Sequence, residues 1–585
     1  MSFLKSTALG IGRWLAVTII TTGAFIGILW WSINRKPDIP TGSTLIVDLN
    51  KPLVEAEMPV PPMLALFGGN GAARVAPVHE IAAGIRSAAA DPRIARLVIN
   101  LDGIQPAGMQ TTFELVDAIR TFSASGKRTI AYAANYDRPK YMLGNAASER
   151  WVDPMGIVDL SGPSFSTPYI GDLLASSGVE VHVAKAGTFK AAVEPYILPA
   201  MSAPARAQFT TLLTGFRDSF FANIRTPTAE SATAAKSNSA TDPETALRNQ
   251  LVTRIASPAD LDRAITPIWP EDHKRAMDRM IPIETYRRAL DAPTCQNSNR
   301  RIAVLTLSGP IGMDGDPLTS ITPEATIEAL RRIQNSGEAS VILLRIDSPG
   351  GDAQAAEMIR AEIAAIRKSG IPVVASLANT AASGGYWIAS AADEILTGEF
   401  TMTGSIGAFA IRPSLHTIAK RFHINPQTVN VGPEPLNGGF LNPMTEQQRT
   451  RLDSDIHRVY SRFIHLVADA RHIPLSDMPS IAEGRVWTGP QAVTLRLADQ
   501  VTTFDGALAR AAIIGKTTPS CRAAVYPKVS MEQLVNSMAR GYSFASTAVP
   551  PSLQRVLRLA EGQIEPVVTS GRPAVYCLSC EGITQ

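Results

Sequence analysis

Residues 379–389 read NTAASGGYWIA. They follow an apolar run at residues 371–377 that has the composition of a buried strand, and Ser383 stands where a helix would begin, directly before Gly384 and Gly385. The first turn of a helix leaves backbone N–H groups without intrahelical acceptors and carries the positive end of the helix dipole, so negative charge is favoured there. This setting predicts that Ser383 acts as a nucleophile.

A second strand–glycine–helix unit precedes the first. Residues 346–351 read IDSPGG, after an apolar run at 341–346 and before a helical pattern. Glycine adopts positive φ without strain and lets backbone N–H groups approach a substrate, as an oxyanion hole made of main chain requires. We therefore predict that Gly350 or Gly351, together with Gly384, holds the oxyanion.

These two segments, together with TGSIG at residues 403–407, resemble the signal peptide peptidase A family in its long, tandem-domain form. Members of that family are membrane-anchored serine proteases with the fold of Clp protease and crotonase. The resemblance implies an α/β protein with tandem duplicated Clp/crotonase-like ββα superhelix domains behind one N-terminal transmembrane helix. It implies neither a metal nor a cofactor.

An internal repeat supports this organisation. The alternation of strands and helices in the first part of the chain returns after Arg301, and such alternation is typical of parallel βαβ units. Tyr141 and Tyr386 align at a shift that holds through the surrounding residues (386 − 141 = 245), which indicates a duplication. The predicted domains are an anchor at residues 1–36, a first half at 37–295, a second half at 296–520 and a C-terminal extension at 521–585.

The two halves differ at the catalytic positions. At the same shift Ser383 falls opposite Arg138 (383 − 245 = 138), so the first half has no equivalent nucleophile. It contains instead GTFKAAVEP at residues 187–195, which resembles the family segment that carries a lysine general base. The resemblance assigns that role to Lys190.

A serine hydroxyl is a weak nucleophile until a base removes its proton. Lysine can be that base only if desolvation lowers its pKa enough to populate the neutral amine, and the neighbours of Lys190 are apolar. Lys185 is the competing candidate. In the family, the serine of the TGSIG segment hydrogen-bonds the lysine and aims its amine, a role that falls on Ser405.

The N-terminus predicts a membrane anchor. Residues 14–33 carry no charge and are bracketed by basic residues on both sides, the pattern of a transmembrane helix. A cleavable signal peptide has a shorter apolar core and a small-x-small site, whereas residues 28–32 read ILWWS. We therefore expect an uncleaved, single-pass anchor. The resemblance places it in the bacterial inner membrane with the catalytic part facing the periplasm.

Composition excludes some other classes of function. The net charge of +3 over 585 residues gives no reason to expect a nucleic-acid partner. Four cysteines in so long a chain predict no disulfide framework. Cys577 and Cys580 lack a second pair to complete a zinc site, so a small disulfide between them is favoured over a metal. The Ser/Thr/Ala-rich run at residues 226–242 is read as a loop.

The sequence thus predicts a membrane-anchored serine endopeptidase with a Ser383–Lys190 dyad. Through an acyl-enzyme it would degrade cleaved signal peptides and other short apolar peptides, whose backbone would pair with strand edges beside the catalytic turn. The resemblance implies a closed, ring-like homotetramer. The sequence leaves open the peptide specificity, the role of the C-terminal tail, and whether the dyad forms within one chain or between chains.

Two alternatives remain from the sequence. A crotonase-like acyl-CoA enzyme would share the superhelix and a glycine oxyanion hole, but it needs neither a serine–lysine pair nor an anchor. A membrane scaffold with a vestigial site would not need to keep Ser383, Lys190 and both glycine turns.

Overall fold

The computed structural model describes residues 36–55, 76–104, 108–237, 240–265, 279–290, 295, 300–315, 319–429, 431–432, 439–525 and 574–576. The strands of the first half are β1 (Ser43–Asp48), β2 (Leu53–Val54), β3 (Ala76–Pro77), β4 (Ile94–Asn100), β5 (Arg128–Ala133), β6 (Glu149–Val152), β7 (Glu180–Ala186), β8 (Arg254–Ile255) and β9 (Met280–Pro282). Its helices are α1 (Val78–Ala90), α2 (Met109–Ala124), α3 (Arg138–Ala146), α4 (Gly171–Ser177), α5 (Glu194–Ile197), α6 (Ala203–Asn223), α7 (Ala229–Lys236), α8 (Pro243–Arg248), α9 (Pro258–Ile265) and α10 (Ile283–Ala289), with a 3₁₀ turn at Ala191–Val193.

The second half repeats this alternation. Its strands are β10 (Arg301–Ser308), β11 (Ala339–Ser348), β12 (Gly350–Asp352), β13 (Val373–Ala382), β14 (Glu394–Thr397), β15 (Met402–Gly404), β16 (Ala408–Ser414), β17 (Val486–Thr488), β18 (Gln500–Val501) and β19 (Arg522–Val525). Its helices are α11 (Pro323–Ser336), α12 (Ala353–Lys368), α13 (Gly384–Ala389), α14 (His416–Arg421), α15 (Glu446–Arg471), α16 (Met478–Ile481), α17 (Gly489–Thr494) and α18 (Phe504–Ile514). A further strand, β20 (Ala574–Tyr576), comes from the C-terminal extension.

Each half is built on a parallel sheet. In the first half the strand order is β8-β6-β5-β4-β1-β9, and in the second half the corresponding path is β14-β13-β11-β10-β19. Consecutive residues of the central strands are buried, because parallel sheets are covered on both faces. Leu97 and Ile99 of β4 belong to one apolar cluster, and Val98 between them belongs to another on the opposite face.

The duplication predicted from the sequence is confirmed. Strand β6 begins at residue 149 and β14 begins at residue 394 (149 + 245 = 394). Both strands stand next to the strand that leads into the helix at the catalytic position of their half, α3 in one case and α13 in the other. The sequence interpretation was wrong at residues 226–242, where Thr228 caps the short helix α7 by accepting from the Ser231 N–H.

Another sheet joins the two halves. Its order is β12-β20-β16-β7, and β7 of the first half runs antiparallel to β16 of the second half from Ala186–Ala408 to Glu180–Ser414. The loop that follows β7 is thereby carried into the second half.

A buried group of charges also connects the halves. The Glu55 carboxylate accepts hydrogen bonds from the Arg345 guanidinium at 2.8 Å and the Thr111 hydroxyl at 2.6 Å, and it lies 2.7 Å from a ring nitrogen of His79. Burial raises the pKa of Glu55, but the charge of Arg345 and the hydrogen bonds from Arg345 and His79 outweigh it and leave that pKa well below its usual value. Removing one partner of a buried ion pair costs about 3–5 kcal/mol, so these contacts fix how the halves meet.

A disulfide corrects the expectation drawn from the cysteine count. Cys295 and Cys521, 226 positions apart, are bonded to each other. They come shortly before β10 and β19, which pair in parallel with Ile302 opposite Arg522. Sheet pairing brings the two cysteines together, and a count of cysteines carries no information about such pairing. Cys577 and Cys580 lie outside the described residues.

The predicted anchor at residues 14–33 also lies outside the described residues. Within the part of the chain that the structure describes, no helix is both long enough and apolar enough to cross a bilayer.

Candidate active site

Ser383 stands at the junction of β13 and α13. It is fully buried, and its backbone has φ +55° and ψ −114°, a strained conformation that costs a non-glycine residue about 1–3 kcal/mol. The conformation is held by the Ser383 N–H donating to the Gly404 carbonyl at 2.8 Å and by the Trp387 N–H donating to the Ser383 carbonyl at 2.8 Å. At Gly385 a Cβ would lie 2.8 Å from the Ser348 carbonyl oxygen, so that position requires glycine.

Lys190 reaches Ser383 from the other half of the same chain. Its Nζ lies 2.8 Å from Ser383 Oγ, 2.9 Å from Ser405 Oγ and 2.9 Å from the Ser405 carbonyl oxygen. The lysine is 1% exposed, and this burial lowers its pKa well below 10.5. The structure therefore brings the three predicted side chains together within one chain. Lys185, in contrast, is exposed on β7.

The contacts with Ser405 direct the lone pair of a neutral Lys190 amine toward Ser383 Oγ. A neutral amine has two N–H groups, and both acceptors that Ser405 offers are within reach of Lys190 Nζ. When these two bonds are made, the lone pair is left to accept the Ser383 hydroxyl proton. Ser405 itself is held at φ +52°, and its N–H donates to the Arg485 carbonyl at 2.6 Å.

The loop that carries Lys190 is clamped by a turn that the sequence reasoning did not assign to the site. The Glu483 carbonyl accepts from the Phe189 N–H at 2.7 Å, and its carboxylate accepts from the Thr188 N–H at 2.9 Å. The Arg485 guanidinium lies 3.5 Å from the centre of the Phe189 ring. Gly484, which follows Glu483 and begins the segment GRVW at residues 484–487, was the only sign in the sequence that a tight turn lies here. Nothing in the sequence indicates that this turn contacts residue 190.

Gly484 leaves no room for a side chain beside the lysine. A Cβ at this position would lie 2.5 Å from the Lys190 backbone nitrogen and 2.7 Å from its Cα. We expect Gly484→Ala to displace Lys190 and lower kcat/KM by about tenfold or more, since misplacement by 1 Å costs on the order of 100-fold. Gly126→Ala is the matched control because Gly126 has the same φ of +81° but open space around it. Equal kcat/KM values in the two variants, measured on one peptide, would contradict this prediction.

Strand β12 carries the glycines predicted for the oxyanion hole. The Gly350 carbonyl accepts from the Ile311 N–H at 2.8 Å, and the Asp352 N–H donates to the Ile311 carbonyl at 2.9 Å. Backbone groups alternate in direction along a strand, so the N–H and C=O of Gly351 point to the opposite side. The Gly350 N–H donates to Ser348 Oγ at 3.2 Å. Gly384 is the first residue of α13, where an N–H has no intrahelical acceptor.

A group of hydrogen bonds supports the end of β13 that precedes Ser383. Asp347 accepts from the Thr380 N–H at 2.9 Å and from the Asn379 side chain at 3.2 Å. The Asn379 amide also donates to the Thr111 hydroxyl of the first half at 2.6 Å. Burial and the negative charge of Glu55 raise the pKa of Asp347 to about 6. These hydrogen bonds join the end of β13 to β11 and to the first half.

The corresponding position of the first half has a different structure. Arg138 opens α3 there, and Asp137 caps the helix by accepting from the Lys140 N–H at 2.9 Å. No nucleophile stands at this helix start. Within the described residues, no group of histidine, cysteine, aspartate or glutamate side chains is arranged to hold a metal ion.

Comparisons with known proteins agree with one another. The profile of Peptidase family S49 matches residues 121–264 and 365–517. Protease 4 of Salmonella typhi is 32% identical over 455 residues, which cover 75% of this chain and 72% of the relative. Protease 4 of Haemophilus influenzae is 30% identical over 467 residues, covering 77% and 74%. A putative signal peptide peptidase SppA of Enterococcus faecium is 29% identical over 215 residues, covering 36% and 62%.

Proposed function

Since the chain belongs to peptidase family S49 and is a serine protease, we propose that Ser383 is its nucleophile and Lys190 its general base. The observation that carries this proposal is the 2.8 Å separation of Lys190 Nζ and Ser383 Oγ, two side chains that are both buried. Burial without a negatively charged partner favours the neutral amine, which is the form that a base must have.

In the acylation step, the Ser383 hydroxyl proton passes to Lys190 Nζ while Oγ bonds to the carbonyl carbon of the substrate. The resulting ammonium then gives its proton to the leaving amine as the peptide C–N bond breaks. In the second step Lys190 removes a proton from water, whose oxygen bonds to the carbonyl carbon of the ester. The bond from that carbon to Ser383 Oγ then breaks, Lys190 returns the proton to Oγ, and the acid is released. Ser405 keeps the lysine amine directed at the reacting oxygen throughout.

The oxyanion is assigned to backbone N–H groups. The Gly350 carbonyl and the Asp352 N–H both bond to Ile311 on one side of β12. The Gly351 N–H therefore points to the other side of the strand, toward β16. We assign the oxyanion to the Gly384 N–H and to the Gly350 N–H, which exchanges Ser348 Oγ for the substrate oxygen as its acceptor. Gly351 takes part in binding the substrate backbone. Removing one donor from an oxyanion hole costs about 2.7–4 kcal/mol in serine proteases.

We propose that substrates bind as an extended strand between β12 and β16. Both strands border the active site, because β12 carries the glycine turn and β16 begins shortly after Ser405. A peptide there would be held mainly by backbone hydrogen bonds, with side-chain pockets giving specificity. Such a slot accepts unfolded segments and excludes folded proteins.

For the substrate class we propose cleaved signal peptides and other short apolar peptides. The predicted anchor at residues 14–33 would keep the site beside the membrane where such remnants are left, and one relative is described as a putative signal peptide peptidase. The bond between Cys295 and Cys521 supports an oxidising compartment such as the periplasm. A homotetramer completes the proposal by analogy with the family.

The substrate proposal is tested with the full chain in detergent micelles, given a synthetic signal peptide or a folded globular protein of similar leucine content. We expect hydrolysis of the peptide and none of the folded protein. A third substrate, the same peptide with its apolar core replaced by Ser and Glu, should be cleaved at least about tenfold more slowly. Equal rates on the apolar and the polar peptide would overturn the proposed substrate class.

A further inference from the structure

The position proposed above for a substrate strand is filled in this structure by a segment of the same chain. Strand β20 lies between β12 and β16 and runs antiparallel to both. Gly350 pairs with Tyr576, Gly351 with Val575 and Asp352 with Ala574, and on the other side Phe409 pairs with Ala574. The strand also contacts α13, the helix that Ser383 caps.

The dimensions of the sheet leave space for one such strand at a time. Neighbouring strands lie about 4.8 Å apart, so β12 and β16 are separated by about twice that distance. Any peptide that pairs with both edges must occupy the place of β20. Because the N–H and C=O of Gly351 face this place, they bind either Val575 or a substrate residue.

From this geometry we propose that Ala574–Tyr576 is an autoinhibitory segment that occupies the substrate cleft and that a substrate must displace. The inference rests on the proposed function, because it takes the β12–β16 gap to be the substrate cleft. The sequence of the segment fits the proposed substrate class: residues 573–579 read PAVYCLS and carry no charge. The register places Tyr576 beside Gly350, at the end of the cleft nearest the oxyanion turn.

Because Ala574–Tyr576 belongs to the same chain, it competes with substrate for the gap between β12 and β16 at a fixed effective concentration. A segment tethered to its own site has an effective concentration that can reach the millimolar range, which is comparable to the dissociation constant expected for a pairing of three residues. We therefore expect the segment to raise the apparent KM for a short peptide by about two- to threefold and to leave kcat unchanged.

The test compares full-length enzyme with Val575→Pro, which removes the N–H that faces Gly351, and with Val575→Thr, which keeps it. A chain ending at residue 573 and a chain ending at residue 576 form the second matched pair. Intact mass verifies that each tail is present. We expect KM to fall in Val575→Pro and in the shorter chain only. An unchanged KM in both of these variants would overturn the proposal.

An added peptide keeps the proposal testable if Val575→Pro fails to fold. The peptide GRPAVY, residues 571–576, should inhibit the chain ending at residue 573 competitively, and GRPAPY should inhibit it far less. Equal inhibition by the two, or none by either at 1–2 mM, on the order of the effective concentration above, would overturn the proposal. Labelling of Ser383 by a fluorophosphonate distinguishes a failure of the proposed dyad from a failure of the proposed autoinhibition. Unlabelled and inactive proteins would refute the proposed dyad, whereas labelled enzymes with equal KM values would refute only the autoinhibition.

Discussion

Ser383→Ala is expected to abolish hydrolysis, with kcat/KM falling by about 10⁴-fold or more, because it removes the hydroxyl that we propose forms the acyl bond. Knocking out the nucleophile in a comparable serine protease costs about 10⁶-fold in kcat. The fold should be retained, since alanine and serine tolerate the positive φ at this position equally and the backbone bonds to Gly404 and Trp387 do not involve the hydroxyl. The measurement is cleavage of a leucine-rich peptide together with thermal unfolding.

Ser390→Ala provides the matched control. Ser390 is also buried and directly follows the same helix, but its hydroxyl donates to the Trp387 carbonyl at 2.7 Å. Its kcat/KM should stay within about threefold of the wild type. Turnover by Ser383→Ala above one per cent of wild type would exclude Ser383 as the nucleophile.

Lys190→Met should lower kcat/KM by about 10³-fold or more, because methionine keeps most of the apolar stem and removes the base. In the wild-type enzyme, activity should rise with pH as Lys190 loses its proton. Since burial lowers the pKa of this lysine well below 10.5, the rise should be complete well below that pH. The residual activity of Lys190→Met should lack this dependence. Lys185→Met, which changes an exposed lysine on β7, should keep the wild-type profile.

Stability separates the catalytic role of Lys190 from a structural one. The unfolded chain binds a proton at this lysine more readily than the folded chain does, so the free energy of unfolding rises with pH until the unfolded pKa is passed. Lys190→Met should remove that slope and increase the free energy of unfolding near neutral pH. A variant that is both less stable and inactive would point to a packing role and count against lysine as the base.

Local patterns in the sequence were sufficient for the elements that position the site. The apolar runs of β11 and β13 and the glycines after them predicted Ser383 at a helix start, and the constant shift of 245 predicted the duplication. Lys190 was found by its resemblance to a known segment, because a single lysine in an apolar stretch has no signature of its own.

The long-range contacts could not be predicted in this way. The pairing of β7 with β16, the clamp of Glu483 on the lysine loop and the Cys295–Cys521 bond all join segments that are far apart in the chain. Periodicity reports on one element at a time and contains no register between distant elements. The C-terminal extension has weak periodicity, and its strand β20 is formed by backbone pairing with edges that belong to the second half.

The pairing of β7 with β16 has a consequence for biosynthesis. Residue 190 is made long before residue 383, yet the amine acquires its buried environment only when the 404–407 and 483–485 segments have folded around it. Until then the lysine is solvated and protonated, even after Ser383 has been synthesised. With Lys190 as the proposed general base, we expect the growing polypeptide to be inactive and to gain the ability to cut peptides only after translation has passed residue 485.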